Sequence, residues 1–252
     1  MTSPPPSTHT FVLVHGAWHG GWCWSRVASR LRAAGHTVFT PTLTGLGERS
    51  HLLSPDISLQ TFVDDIVNVL VWEDLNDVIL VGHSFAGLVI TGVADKVPER
   101  LHHLVYLDAF ILESGISTFD TLPVEIVAKL HAASRDGTGA AAALPPPKPK
   151  SLGLLEPEDV AFVEQRLTPH PLRSYETALQ LQHPVGNGLP CTYLSCANPS
   201  FAAVDDSRNW ARNRSGWRWE DLDSNHEAMV SAPDLLTQAL LRTAQAGGKR
   251  EL

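Results

Sequence analysis

Several features that mark other classes of protein are missing from this sequence. Its 252 residues include three cysteines, Cys23, Cys191 and Cys196, and no two of them form a CxxC pair. An odd number of scattered cysteines is typical of free thiols in a reducing compartment, and it argues against a disulfide framework or a zinc site. We therefore expect a cytoplasmic protein that holds no metal.

The features of membrane and nucleic-acid-binding proteins are also missing. No apolar run approaches the roughly 20 residues that a membrane span requires. The first ten residues, MTSPPPSTHT, contain neither a basic nor an apolar region, so they predict a disordered leader over 1–9 and no signal peptide. The net charge of −8 argues against nucleic acid or an anionic membrane surface as a partner.

The sequence does contain a regular alternation of strand-like and helix-like segments. Apolar, β-branched runs predict strands at 9–16, 36–42, 77–84, 101–110, 190–197 and 216–222. Helical spacing predicts helices at 22–34, 58–72, 85–97 and 233–246, the second with Phe62, Ile66 and either Val69 or Leu70 on its buried face. Such an alternation is typical of an α/β fold, here with about six mostly parallel strands and helices on both faces.

The alternation is interrupted after the fourth strand. Residues 111–189 contain scattered helical segments, few strand-like runs and the proline-rich stretch PPPKPK, which predicts a solvated loop. We expect this segment to form an inserted helical cap on a core made of residues 10–110 and 190–252. A chain of 252 residues is long enough to bury one core and to carry such an insertion.

A candidate nucleophile follows the third predicted strand. The sequence there is GHSFAG, with Ser84 between Gly82 and the pair Ala86-Gly87. A nucleophilic serine requires a tight strand-to-helix turn with small neighbours, although the strict G-x-S-x-G pattern would have glycine in place of Ala86. The strand–turn–helix context favours a nucleophile over an ordinary turn, and the start of the helix adds a positive dipole end.

Two further segments supply the remaining parts of an acyl-transfer site. The segment HGAWHGGW, at 15–22, follows the first strand, and its small residues allow a close backbone approach. We expect the N–H groups of Ala17 and Phe85 to bind an oxyanion, because such a hole needs two aligned donors. His226 follows the last strand, which is where the chain order serine, acid, histidine requires the base.

Together these motifs resemble the α/β-hydrolase fold superfamily, and more closely its hydroxynitrile lyase and plant methylesterase branch. The resemblance is carried by VLVHGAWHGGW, VILVGHSFAG and LVYLDAF within 10–110, and it extends to CTYLSC and HEAM. Bacterial esterases and carbamate hydrolases of similar size look alike in these motifs. The resemblance implies the α/β-hydrolase fold, with Ser84 as nucleophile, His226 as general base, and Ala17 and Phe85 as oxyanion donors.

The acid departs from the pattern of that branch, in which a carboxylate usually follows the penultimate strand. This chain has Ala197, Asn198 and Pro199 at the expected places. Asp205 and Asp206 come later, at the predicted start of a helix, where helix capping is their simpler role.

Asp108, at the end of the fourth strand, is the favoured acid. Some hydrolases of this superfamily carry their acid after that strand, and the ends of parallel strands are where such sites assemble. Burying a carboxylate in LVYLDAF is costly unless it has a strong partner, and a histidine that becomes cationic during turnover is such a partner. Asp205, Asp206 and a missing acid stay open as alternatives.

The predicted function is cofactor-free hydrolysis of a small carboxylic ester through an acyl-enzyme, by a monomer or a homodimer. Trp18, Phe110 and Phe119 are expected to line an apolar substrate pocket, although the same residues could belong to the core. A carbamate or amide hydrolase with the same triad is the main alternative, and a non-catalytic ligand-binding protein is another. Hydroxynitrile lyase activity is disfavoured, because such lyases carry a threonine and a lysine where this chain has Gly16 and Glu227.

Overall fold

The computed structural model describes residues 8–135 and 142–246, so most of the predicted leader, residues 1–7, lies outside the described part. The strands are β1 (Thr10–Val14), β2 (Thr37–Phe39), β3 (Val78–His83), β4 (Leu101–Leu107), β5 (Ala143–Leu144), β6 (His170–Pro171), β7 (Cys191–Cys196) and β8 (Arg218–Leu222). Six of them form one sheet in the order β2-β1-β3-β4-β7-β8, with every neighbouring pair parallel. β5 and β6 form a separate antiparallel pair. The predicted six-stranded α/β architecture is confirmed.

The helices cover both faces of this sheet. They are α1 (Ser25–Ala33), α2 (Leu59–Trp72), α3 (Ala86–Lys96), α4 (Val124–Arg135), α5 (Pro157–Glu164), α6 (Arg173–Glu176), α7 (Asp205–Arg212), α8 (Ala228–Ser231) and α9 (Pro233–Ala246). Ser58 caps α2 through a capping box with Thr61, and the helix buries Leu70 and not Val69. None of the helices in 8–135 and 142–246 combines the length and the apolar character that a membrane crossing requires.

The sheet has two buried faces because side chains alternate along its strands. In β1, Val12 and Val14 pack with residues of α2, α3 and α7, whereas Phe11 and Leu13 pack with residues of α1, α8 and α9. All four side chains are fully buried. Helices on both faces are typical of an all-parallel sheet, and they leave the carboxyl ends of the strands as the place where a site can form.

Residues 111–189 contact the carboxyl end of β1. The Trp18 N–H donates to Nδ1 of His170 at 3.3 Å, and the Trp18 indole N–H donates to the carbonyl of Leu144 at 3.2 Å. The Thr168 N–H in turn donates to the Trp18 carbonyl at 2.9 Å. The division into a core (10–110 and 190–252) and a helical cap (111–189) stays a prediction, which these contacts support.

The central strands end in register, and the residues that follow them have unusual backbones. His83 pairs with Leu107, so Ser84 and Asp108 leave β3 and β4 at the same level of the sheet. Ser84 (φ 53°) and Asp108 (φ 44°) both have positive φ, as does Trp18 (φ 64°) after β1. Non-glycine residues rarely adopt such angles, and where they do they cluster at functional sites.

Gly87 is the glycine that the turn at Ser84 requires. A Cβ atom at this position would lie 2.2 Å from the carbonyl oxygen of Phe110, which belongs to the backbone after β4. Ala86 is fully buried with its methyl group, so the close approach that requires glycine falls one residue later than in the strict motif. Gly92, in the same helix, would meet only the methyl groups of Val63 and Leu179 side chains.

We predict that Gly87→Ala lowers the free energy of unfolding by about 1–3 kcal/mol more than Gly92→Ala does, because backbone yields less than a side chain. Both changes gain the same helix propensity, about 1 kcal/mol, so their difference isolates the contact with Phe110. Urea denaturation of the two variants measures it. Equal losses for the two variants would contradict the role given to Gly87.

Candidate active site

Ser84 lies in a sharp turn between β3 and α3. Its positive φ lifts the side chain away from the sheet, and the Ser84 N–H is held by the Leu107 carbonyl at 3.1 Å. Only 9% of the residue is exposed. A Cβ at Gly16 would lie 2.9 Å from the Ser84 Cβ, so the loop after β1 passes directly against the serine. This is the geometry of a nucleophile elbow.

The predicted serine, histidine and aspartate form one hydrogen-bonded chain. The distance from Ser84 Oγ to His226 Nε2 is 3.0 Å, and the distance from His226 Nδ1 to Asp108 Oδ2 is 2.6 Å. His226 and Asp108 are 2% and 0% exposed. Residues that are distant in the sequence thus meet at the carboxyl edge of the sheet in the arrangement of a proton relay.

Arg208 supports Asp108 and was not anticipated from the sequence. Its Nη2 and Nε lie 2.7 and 3.1 Å from Asp108 Oδ1, and the Cys196 N–H donates to the same oxygen at 3.2 Å. Oδ2 is left to His226. Charge-assisted hydrogen bonds of this kind offset the cost of burying a carboxylate.

The alternative acids occupy other places. Asp205 Oδ1 lies 2.6 Å from Arg208 Nη1, so this carboxylate binds the guanidinium and not the imidazole. Asp206 follows it in the first turn of α7. Ala197 and Asn198, at the positions where the family branch would carry its acid, are tied by their N–H groups to Leu222 and Ser224. Among the described residues, Asp108 is the carboxylate that contacts His226.

The two histidines inside the turn motifs have hydrogen-bonding roles. His15 Nδ1 donates to the Gly16 carbonyl at 2.8 Å, while its Nε2 accepts from the Leu43 N–H at 3.0 Å. His83 Nε2 donates to the His226 carbonyl at 2.9 Å, which fixes the backbone of that residue. Burial lowers the pKa of both imidazoles to about 3, so both are neutral at pH 7.

The predicted oxyanion donors border the same space as the Ser84 hydroxyl. Ala17 is 3% exposed and lines the cavity beside Ser84, and Phe85 follows the serine directly. In the part of the chain that the structure describes, no protein group accepts a hydrogen bond from either N–H. Two unoccupied backbone donors next to a hydroxyl have the composition of an oxyanion hole.

A cavity of about 160 Å³ opens in front of Ser84 and His226. The apolar part of its wall includes Phe110, Leu122, Leu130, Leu144, Leu152 and Tyr175, and the loops after β1, β3, β7 and β8 also contribute to the lining. Trp18 and Phe110 line it as predicted. Phe119 does not line it, and its ring packs against Tyr175 and His131, with centroid distances of 5.7 and 5.2 Å.

Two aromatic residues that sequence reasoning missed line the cavity and pack against predicted site residues. The Phe201 ring stacks on His226 with centroids 4.1 Å apart, and Tyr175 stacks on Phe85 at 4.9 Å. Both lie outside recognisable motifs, so no local signal marked them.

One group of side chains near the relay has the spacing of metal ligands. Atoms of His83, His226 and Glu227 lie within 4.8 Å of one another. A metal here would have to displace Ser84 or Asp108 from His226, whose two ring nitrogens contact those residues. The arrangement therefore favours proton transfer over metal ligation.

We predict that Arg208→Met lowers the free energy of unfolding by about 3–5 kcal/mol, because it leaves the Asp108 carboxylate buried without its cation. Arg212→Met, on the exposed side of the same helix, should cost less than about 1 kcal/mol. Adding Asp108→Asn to Arg208→Met should recover part of the loss. A double-mutant cycle by urea denaturation at pH 7 measures all three, and equal effects for the two arginines would refute the role of Arg208.

The chain matches the model of the alpha/beta hydrolase family over residues 11–239. A carbendazim hydrolyzing esterase of Nocardioides sp. (strain SG-4G) is 39% identical to it over 244 residues, which cover 91% of this chain and 97% of that protein. The pFDCC methylesterase MES16 of Arabidopsis thaliana is 29% identical over 262 residues, covering 92% of this chain and 93% of that protein.

A solved structure agrees with these relatives. An extracellular alpha/beta-hydrolase from a Paenibacillus species, described as sharing structural and functional homology to tobacco salicylic acid binding protein 2, superposes with a TM-score of 0.79 at 25% identity. The superposition covers 96% of this chain and 100% of that one. The expectation of a carboxylesterase-type enzyme is confirmed at the level of the class by the named esterases among the relatives. The family match and the shared fold show that the chain belongs to the alpha/beta hydrolase family.

Proposed function

We propose that this protein hydrolyses a small carboxylic ester through a Ser84–His226–Asp108 triad. The observation that carries the proposal is the continuous chain of hydrogen bonds from Ser84 Oγ through His226 to Asp108, beside an apolar cavity. The two named esterases among the relatives support the same reaction class.

The mechanism follows from this geometry in two steps. His226 Nε2 takes the Ser84 hydroxyl proton while Oγ attacks the ester carbonyl, and Asp108 holds the imidazole in the required tautomer and stabilises its cation. The N–H groups of Ala17 and Phe85 bind the oxyanion that forms. His226 then protonates the leaving alcohol, and a water molecule activated by the same base releases the acid.

The cavity supports a small, largely apolar substrate. Its volume of about 160 Å³ and its wall of leucine and aromatic side chains leave little room for a charged group. Thr118 also lines it, and the Thr118 hydroxyl is buried without a hydrogen-bond partner among the described residues. The leucines of this wall belong to the predicted cap, which therefore contributes to the selection of the acyl and alcohol groups.

The same residues bear on two alternative activities, carbamate or amide hydrolysis and hydroxynitrile lyase activity. A carbamate or amide would undergo the same attack by Ser84. An amide differs from an ester in its leaving group, and a carbamate differs in the nitrogen attached to its carbonyl carbon. Hydroxynitrile lyase activity is disfavoured for two reasons. The threonine that such lyases carry at the position of Gly16 would collide with Ser84 in this protein. Glu227 also adds a negative charge where a lyase would hold cyanide.

The predicted location and assembly stay part of this proposal. The three cysteines are buried and free, which fits the predicted reducing cytoplasm. The Paenibacillus hydrolase is extracellular, so location varies among related structures. A monomer or a homodimer is the expected assembly.

We predict that the purified protein hydrolyses p-nitrophenyl esters of short acyl chains faster than aryl carbamates or anilides. Ser84→Ala should lower kcat by about 10⁴–10⁶-fold and abolish labelling by a serine-directed fluorophosphonate. Faster turnover of the carbamates would make the carbamate hydrolase the correct alternative. If the wild type neither reacts with the fluorophosphonate nor hydrolyses any of these substrates, the alternative of a non-catalytic ligand-binding protein is favoured.

For the acid, we expect Asp108→Asn to lower kcat by about 10³–10⁴-fold, because the histidine loses its tautomer and the support for its charge. Asp205→Asn and Asp206→Asn are the matched controls and should each lower it by less than about 10-fold. Steady-state kinetics on the best ester, with active sites counted by fluorophosphonate, give the comparison. The reverse ranking would assign the acid to α7.

A further inference from the structure

A buried ion pair lies next to the proposed triad but has no part in the mechanism above. His19 Nε2 and Glu227 Oε2 are 3.2 Å apart, and the two residues are 2% and 0% exposed. Both border the cavity. A fully buried carboxylate is costly, so its presence beside an active site calls for a physical role.

The pair joins the two loops that carry opposite halves of the site. His19 Nδ1 lies 2.7 Å from the carbonyl oxygen of Ala17, the residue whose N–H is a proposed oxyanion donor. Glu227 directly follows His226, the proposed base. The only covalent route between these loops runs through most of the chain, so the ion pair is a short link between them.

The surroundings of His19 favour a proton on both of its ring nitrogens. Nδ1 lies within hydrogen-bonding distance of the Ala17 carbonyl, and Nε2 lies within ion-pair distance of the Glu227 carboxylate, although this second contact does not have the alignment of a hydrogen bond. Burial lowers the pKa of His19, but the charge of Glu227 and its contacts outweigh burial and raise it above the ordinary value. Burial raises the pKa of Glu227, and the charge of His19 more than reverses this and brings it to about 2.

The surroundings of the pair hold it in place. Trp22 stacks on the His19 ring with centroids 5.3 Å apart, and His83 approaches it edge-on at 6.3 Å. Burial lowers the pKa values of His15, His83 and His170, so these neighbours are neutral at pH 7. The titratable groups that face the pair are His15, Cys23, His83, His170, Cys196 and His226.

We propose that the His19–Glu227 ion pair is a positioning device, which fixes the Ala17 carbonyl, and through the Ala17 backbone the oxyanion-donating N–H on the other side of its Cα, relative to His226. This inference rests on the proposed hydrolase function. His19 and Glu227 touch no reacting atom, and they act through Ala17. Trp18, the next residue, has φ 64°, so the loop has a backbone conformation that needs support from outside.

The test compares two substitutions at position 227. Glu227→Met removes the link, and kcat for the best ester should fall about 10–100-fold with KM within about threefold, because the oxyanion donor matters chiefly in the transition state. Glu227→Gln should recover most of kcat, since its amide N–H can donate to the neutral His19 ring. Asp159→Asn is the control, because it breaks a 2.7 Å ion pair with Arg26 away from the cavity. Active sites are counted by fluorophosphonate, so unfolded protein does not enter kcat.

The pH dependence gives a second readout. In the wild type, kcat should decline as pH rises through the raised pKa of His19, because one of its two N–H groups is then lost. Glu227→Gln should not show this alkaline decline. The double variant His19→Phe/Glu227→Met should be no slower than Glu227→Met, since both changes break one link.

Three results would overturn the inference. The first is a Glu227→Met variant whose kcat per labelled active site equals that of the wild type. The second is an equal loss of kcat in Glu227→Met and Glu227→Gln, and the third is a neutral His19 ring in the wild type at pH 7. The last is measured from the ring ¹⁵N shifts and needs no stable variant, and a doubly protonated ring supports the inference. Failure of the proposed function is a different outcome, in which the wild type neither labels nor hydrolyses any ester.

Discussion

The burial of the Asp108 carboxylate is the constraint on which the site depends. It ends β4 without solvent exposure, so each of its oxygens needs a partner inside the protein. Oδ1 receives the Arg208 guanidinium and the Cys196 N–H, and Oδ2 receives His226. The position of α7 and the end of β7 are thereby coupled to the orientation of the proposed base.

The other buried polar groups around the Ser84–His226–Asp108 chain also need partners inside the protein. The His226 backbone is held by His83, and its ring is held by Asp108 and covered by Phe201. On the other side, Glu227 and His19 connect this loop to Ala17. In a largely apolar environment each of these contacts is stronger than it would be in water, and each missing partner is more costly. The site is therefore held in place by hydrogen bonds and ion pairs among buried polar groups as much as by the strands beneath it.

Much of this could be predicted from the sequence, because it depends on local pattern. Strand and helix alternation predicted the sheet, and the turn at Ser84 and the location of His226 followed from their places after strands. Asp108 was preferred because some hydrolases of this superfamily carry their acid after the fourth strand, and the register of His83 with Leu107 places it level with the serine.

The rest depends on contacts between distant segments that leave no local signal. Arg208 lies within an ordinary amphipathic helix, and its role appears only when α7 packs under the end of β4. Phe119 was taken for a pocket residue on its aromatic character alone, but the cavity is lined by Tyr175, against which the Phe119 ring packs. His19 and Glu227 were parts of recognised motifs, yet their pairing joins two segments that pattern alone does not connect.

The Arg208 guanidinium also limits how this active site could evolve. It binds Ser200 and the Phe201 carbonyl as well as Asp108, so it joins the segment after β7 to the end of β4. Removing Asp108 alone would leave that arginine without its buried counter-ion, and removing the arginine alone would leave the carboxylate without its cation. Replacement of the proposed acid is therefore penalised unless both residues change together.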